Sequence, residues 1–310
     1  MKASVICSPG LDGFLGYFYQ GSSPTDRAMI VLIGDDGDDL MDQACARWLT
    51  KYQNCGALCL ALRESRNADP GISLFDLDRV LSGVQFLKKR GIGKIGICGM
   101  SMQAVIALSA AARIPEISLV LAFSPCDYVP WGFCHGTVGK SKNAEYPTGE
   151  SLLQWQGQPL AYKSPCLKKE AYHALFASDS RAHLELQSLG IFDHSEEAEP
   201  VPEEAFIPAE NIRGAVILVG AEDDSMWNST RYIFRLRNRL KEKEFMFPVK
   251  VFSYTHGTHL LVPQRMLMEA LPIIGGLTAW IFAGGRRHPI RCRKARISLD
   301  RKLSSYLQSW

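Results

Sequence analysis

Ser101 lies in the stretch GICGMSMQAV (96–105), where a short apolar run gives way to residues of helical character. A serine at such a turn has the makings of a nucleophile elbow. The sharp bend lifts Oγ clear of a sheet, and the next backbone N–H, that of Met102, points where an oxyanion would form. Gly99 allows strand and helix to approach closely, whereas the fifth position, usually glycine, is Gln103. A serine attacks only if a base takes its proton, and that base needs an acid to fix its tautomer. Two later stretches carry these residue types. AEDDSMW (221–227) offers Asp223 and Asp224, and THGTHLLVP (255–263) offers His256 and His259, each just past an apolar run. The chain order of serine, acid and histidine suits acyl transfer through an acyl-enzyme. Each element alone has an ordinary reading: a tight turn, a helix cap, a solvated loop histidine. The agreement of three separate positions is what singles them out.

A second oxyanion donor is expected from GDDGDD (34–39), which follows the apolar run AMIVLIG (28–34). Gly34 and Gly37 let backbone approach a substrate there, and the N–H of Asp35 or Asp36 is the candidate. The acids of DDGDDLMD (35–42) raise the alternative of a cation site. Their spacing matches no calcium-binding loop, and a helix start favours acids through its dipole, so no metal is expected.

The elements that would hold these residues alternate. Buried-strand runs are read at 28–34, 55–62, 94–98, 117–123, 215–220 and 248–254, with helical periodicity at 40–54, 74–90, 104–113 and 229–245. Strands at 5–10 and 13–21 read as an edge hairpin. Such alternation implies an α/β architecture, a mostly parallel central sheet with helices on both faces. It lapses between about 124 and 211, an insertion long enough to form a lid or binding surface.

Composition is that of an ordinary globular chain, 46% hydrophobic and 22% charged, able to bury a large core. The net charge of +3 gives no global field for nucleic acid. The nine cysteines form no CxxC pair, and the N-terminus lacks an apolar leader, so reduced thiols and a cytoplasmic location are expected. LPIIGGLTAWIFAGG (271–285) is too short and too broken to span a bilayer, and no stable membrane insertion is expected.

IPAENIRGAVILVGAEDDSMW, followed by RLKEKEF and VFSYTHGTHLLVP, resembles the C-terminal catalytic domain of the acyl-CoA thioester hydrolase and bile acid-CoA:amino acid N-acyltransferase family. IVLIGDDGDD is similar to its oxyanion loop, and SPCDYVPWGF to the start of its insertion; the likeness spans roughly residues 10 to 270. The resemblance implies a single α/β-hydrolase domain over 1–310, with a lid-like insertion at 124–211. It implies Asp224 as the acid, three residues before Trp227, and His259 as the base. In the family a serine nucleophile goes with hydrolysis and a cysteine with transfer to amino acids, so Ser101 implies hydrolysis of an acyl-CoA or acyl ester without a cofactor. Cys98 is read as core.

Two departures stand out. Gln103 replaces a small residue at the elbow, and the chain has no room for the N-terminal immunoglobulin-like domain of eukaryotic members, so a bacterial-type form is expected. Coenzyme A carries phosphates that cations recognise. RRHPIRCRKAR (286–296) has six arginines and lysines, either for that purpose or as a solvated segment before a final helix at 297–310. Trp131, Phe133 and Trp155 are the expected acyl-chain contacts, with Gln103 beside them. The alternatives are ester or amide hydrolysis, acyl transfer to an amine, and a silent fold that only binds.

Overall fold

The computed structural model describes residues 2–21, 25–63, 71–138, 141–166, 191–272 and 282–310. Its main sheet has eight strands: β1 (Val5–Cys7), β2 (Gly16–Tyr19), β3 (Arg27–Leu32), β4 (Gly56–Leu60), β6 (Lys94–Met100), β7 (Ile117–Phe123), β12 (Ala215–Ala221) and β13 (Val249–Tyr254). Their spatial order is β1-β2-β4-β3-β6-β7-β12-β13, parallel from β4 onward, with β1 and β2 paired antiparallel at one edge. The alternation read in the sequence thus becomes a doubly covered sheet.

Why the central strands are apolar throughout is visible in their two-residue period. Ile30, Leu32, Leu58, Ile97, Val120 and Leu218 point to one core, while Met29, Val31, Cys59, Cys98, Leu121 and Val219 point to the other. Helices Asp78–Lys89, Met102–Ala111 and Ser229–Glu242 cover the first face with Val84, Ile106 and Leu236. Helices Leu40–Tyr52, Gln264–Ala270 and Pro289–Ser309 cover the second with Trp48, Leu267 and Leu303.

Several element boundaries differ from the reading of the sequence; at the edge hairpin, a helical turn, Pro9–Asp12, falls within the strand read at 5–10, leaving strands Val5–Cys7 and Gly16–Tyr19. The stretch 74–90 is not one helix: β5 (Phe75–Asp76) precedes it, and the Asp76 side chain accepts the N–H of Asp78 at 2.9 Å. The final helix begins at Pro289 rather than after the basic segment, because proline suits a first helical turn. This helix spans the molecule. Its last carbonyls, those of Leu307 and Trp310, accept from Arg27 at the start of β3. Its first turns reach the opposite, carboxyl edge of the sheet, where Arg291 meets His256.

Between β7 and β12 the chain leaves the main sheet. It forms the antiparallel pair β8 (Trp131–Val138) and β9 (Ser141–Ser151). Next, β10 (Leu153–Trp155) pairs with β11 (Gln158–Pro159) and, in parallel, with β5. Residues 191–198 form a helix before the return to β12. Among the described residues no helix is long and apolar enough to cross a membrane; most of 271–285 lies outside them.

Candidate active site

Ser101 directly follows β6, with φ 62° and ψ −130°, in the left-handed half of backbone space that L-residues avoid. Its N–H donates to the Phe123 carbonyl at 2.9 Å, and helix Met102–Ala111 starts at the next residue. The bend brings strand and helix so close that a Cβ at Gly99 would strike the Gln103 carbonyl. Glycine is therefore required at 99. At 103 it is not, because the Gln103 side chain runs sideways and donates from Nε2 to Asp35 Oδ1 at 3.3 Å. The departure from the usual motif becomes a tie between the elbow and the 34–39 loop.

The two aspartates after β12 divide the work. Asp224 is buried and accepts from the N–H groups of Met226 (3.0 Å) and Trp227 (3.4 Å). Both of its carboxylate oxygens lie 3.0 Å from Nδ1 of His259. Asp223 instead accepts from the backbone of Gly257 (2.9 Å) and Thr258 (2.7 Å), fastening the turn that presents His259. Thr258 needs that help, since its φ is 61°. His256 stands 3.5 Å from Asp223.

His259 is itself only 5% exposed, so its ring has left water. The Trp227 indole packs edge-on against it at 5.3 Å between centroids and donates Nε1 to the Ser124 carbonyl at 3.0 Å. Ser124 Oγ in turn donates to the His259 carbonyl at 2.9 Å. Because Ser124 follows the residue that binds Ser101, one short path of hydrogen bonds joins elbow and histidine loop. Nε2 of His259 is buried and has no hydrogen-bond partner among the described residues.

In the 34–39 loop the two candidate N–H donors differ. The N–H of Asp35 is already committed, donating to Asp39 Oδ2 at 2.7 Å, because Asp39 caps the following helix and also accepts from Met41 and Asp42. Asp36 is left as the loop's candidate donor; its side chain pairs with Arg63 at 2.9 Å. The acidic run thus serves a helix start. Beneath it, Asp42 is fully buried and accepts the Gly34 N–H at 2.9 Å. Burial, reinforced by Asp39, pushes its carboxyl well above the usual carboxylate range.

The aromatic residues expected at the acyl chain separate. Trp131 stacks on Phe192 at 5.0 Å, Phe192 meets Trp227 edge-on at 5.0 Å, and Trp227 reaches His259. Phe133 is half-buried and bonds Ile72 through its backbone at 2.8 Å. Trp155 belongs to the small sheet with β5 and has no ring contact to His259 among the described residues. The sequence reading missed Phe192; Phe282, whose ring centroid lies 6.2 Å from that of His259, belongs to the apolar stretch 271–285.

A mostly parallel sheet in this order, covered on both faces, with the elbow after β6 and the acid and histidine loops after β12 and β13, defines an α/β hydrolase fold. The chain belongs to the family described as BAAT / Acyl-CoA thioester hydrolase C terminal, whose model matches residues 82–285. That range contains Ser101, Asp224 and His259 but excludes the 34–39 loop and the whole of the final helix. Solved structures similar to it include the esterase Pf2001 of Pyrococcus furiosus (11% identity, 100% of this chain and 98% of that one, TM-score 0.48). The dienelactone hydrolase-like promiscuous phosphotriesterase P91 from metagenomic libraries is similar at 10% identity, 96% and 94% coverage and TM-score 0.49. Est1E of Butyrivibrio proteoclasticus is similar at 11% identity, 91% and 99% coverage and TM-score 0.45. No curated protein matches the chain by sequence.

Proposed function

We propose that this hydrolase cleaves acyl thioesters of coenzyme A through an acyl-enzyme, with Ser101 as nucleophile, His259 as base and Asp224 as the acid that orients it. One observation carries the proposal: a buried imidazole with Nδ1 on a buried carboxylate and Nε2 unpartnered among the described residues, at the sheet edge that bears a serine with φ 62°. In the first half-reaction, His259 Nε2 takes the Ser101 proton as Oγ attacks the thioester carbonyl. Asp224 stabilises the imidazolium. The N–H groups of Met102 and Asp36 receive the oxyanion. Collapse breaks the C–S bond, and the thiolate leaves with the proton from His259. Water repeats the sequence to release the acid and free serine.

Family membership, together with a serine rather than a cysteine at the elbow, supports this substrate class. The segment between β7 and β12 is read as one lid-like insertion within a single domain, its Trp131 and Phe192 forming one wall for the acyl chain. The test is thiol release from acyl-CoA substrates of graded chain length. Release by the wild type that is lost in Ser101→Ala and His259→Ala is expected. Cleavage of aryl esters without thiol release would move the substrate to carboxylesters, and capture of the acyl group by an added amine would make the chain a transferase.

A further inference from the structure

The start of the final helix concentrates positive charge in a short stretch. Elsewhere, Arg231, Arg235, Arg239 and Arg265 are each paired with carboxylates. Between 282 and 296 there are six arginines and lysines and no acid. Arg287, Arg291, Arg293 and Lys294 are exposed and make no ion pair among the described residues. This uncompensated charge is not remote from the site. Arg291 Nη1 donates to His256 Nε2 at 3.1 Å, the His256 and His288 ring centroids lie 4.1 Å apart with the planes tilted by 37°, and the Phe282 ring centroid lies 6.2 Å from that of His259. The acid facing the cluster is Asp223, one of whose oxygens is already held by the Gly257 and Thr258 N–H groups. Pro289 opens a 21-residue helix here, so unpaired backbone N–H groups add to the same field.

We infer that His288, Arg287 and Arg291, with His256 beside them, form the subsite for the phosphate groups of the substrate's leaving thiol; the inference rests on the thioester reading above. Guanidinium groups bind phosphate oxygens in bidentate fashion. The location fits the chemistry: the thioester must reach Ser101 while the phosphates, a pantetheine arm away, stay at the open carboxyl edge. The basic segment is then a recognition element for the half of the substrate that is released.

The test compares lauroyl-CoA with lauroyl-pantetheine, which has the same thioester and no nucleotide, in the wild type and in Arg287→Gln/Arg291→Gln. Loss of two charge-assisted contacts is expected to lower kcat/KM for lauroyl-CoA by about tenfold or more relative to lauroyl-pantetheine, through KM. Adenosine 3′,5′-bisphosphate, titrated by calorimetry, is expected to bind the wild type and to weaken similarly in the variant, while Arg291→Lys with Arg287 intact keeps part of the affinity. Equal losses on both substrates, or no loss on either, would overturn the subsite. If the wild type cleaves neither thioester, the thioesterase reading fails, and the titration still decides: no binding by the wild type, or equal binding by the variant, refutes the phosphate site.

Discussion

Ser101 occupies a backbone conformation that costs an L-residue on the order of 1–3 kcal/mol. A chain keeps such strain where the side chain must stand in one place. Ser101→Gly is therefore expected to raise the stability by about 1 kcal/mol while abolishing activity, whereas Ser101→Ala abolishes activity with no such gain; denaturant titration of the two variants separates them. The acid was only half legible. Asp223 and Asp224 are equally acidic and equally placed past a strand, and adjacent side chains leave a turn in different directions, so residue types could not choose between them. Family resemblance named Asp224, and it is Asp224 that meets Nδ1 of His259. On this assignment Asp224→Asn should cost roughly three to four orders of magnitude in kcat. Asp223→Asn, which loosens only the turn at 257–258, should cost far less. Equal losses would mean that the turn, not the carboxylate–imidazole bond, limits the reaction.

At the scale of elements, the insertion was the least legible part, because its partners are remote in sequence. Residues 194–206 are rich in acids, and one of them, Glu196 on helix 191–198, meets Arg231, Arg235 and the Tyr232 hydroxyl. Arg235 also grips buried Asp127 with two bonds of 2.6 Å. These contacts fasten the insertion to helix Ser229–Glu242, which begins just after Trp227, and so hold Phe192 against the tryptophan that packs on His259. Arg235→Leu leaves Asp127 buried without its cation and should cost about 3 kcal/mol, read as a lower denaturation midpoint. Helix Pro289–Ser309 was misjudged for a different reason. A run of arginines carries no apolar period over its first turns, and only the proline marked where the helix begins.

The sheet itself was legible throughout, since strands buried on both faces must be apolar at every position and strands of that kind alternating with amphipathic helices admit few topologies. The whole molecule's response to pH carries one further signature. Asp42 binds a proton in the native state that the unfolded chain releases above the ordinary carboxylate value, so its contribution to stability is lost as pH rises from about 4. Asp42→Asn keeps the acceptor for Gly34 and removes the titration. Its advantage in denaturation midpoint over the wild type should therefore grow between pH 4 and pH 8, and a constant difference would mean that the carboxyl titrates normally. The central claim, that this fold exists to activate one serine, is tested most directly by fluorophosphonate labelling of the purified protein followed by peptide mapping. An adduct on Ser101, absent in Ser101→Ala and strongly reduced in His259→Ala, is the expected result. An unlabelled Ser101 in the folded wild type would contradict it and leave the elbow as a strained turn without a nucleophile.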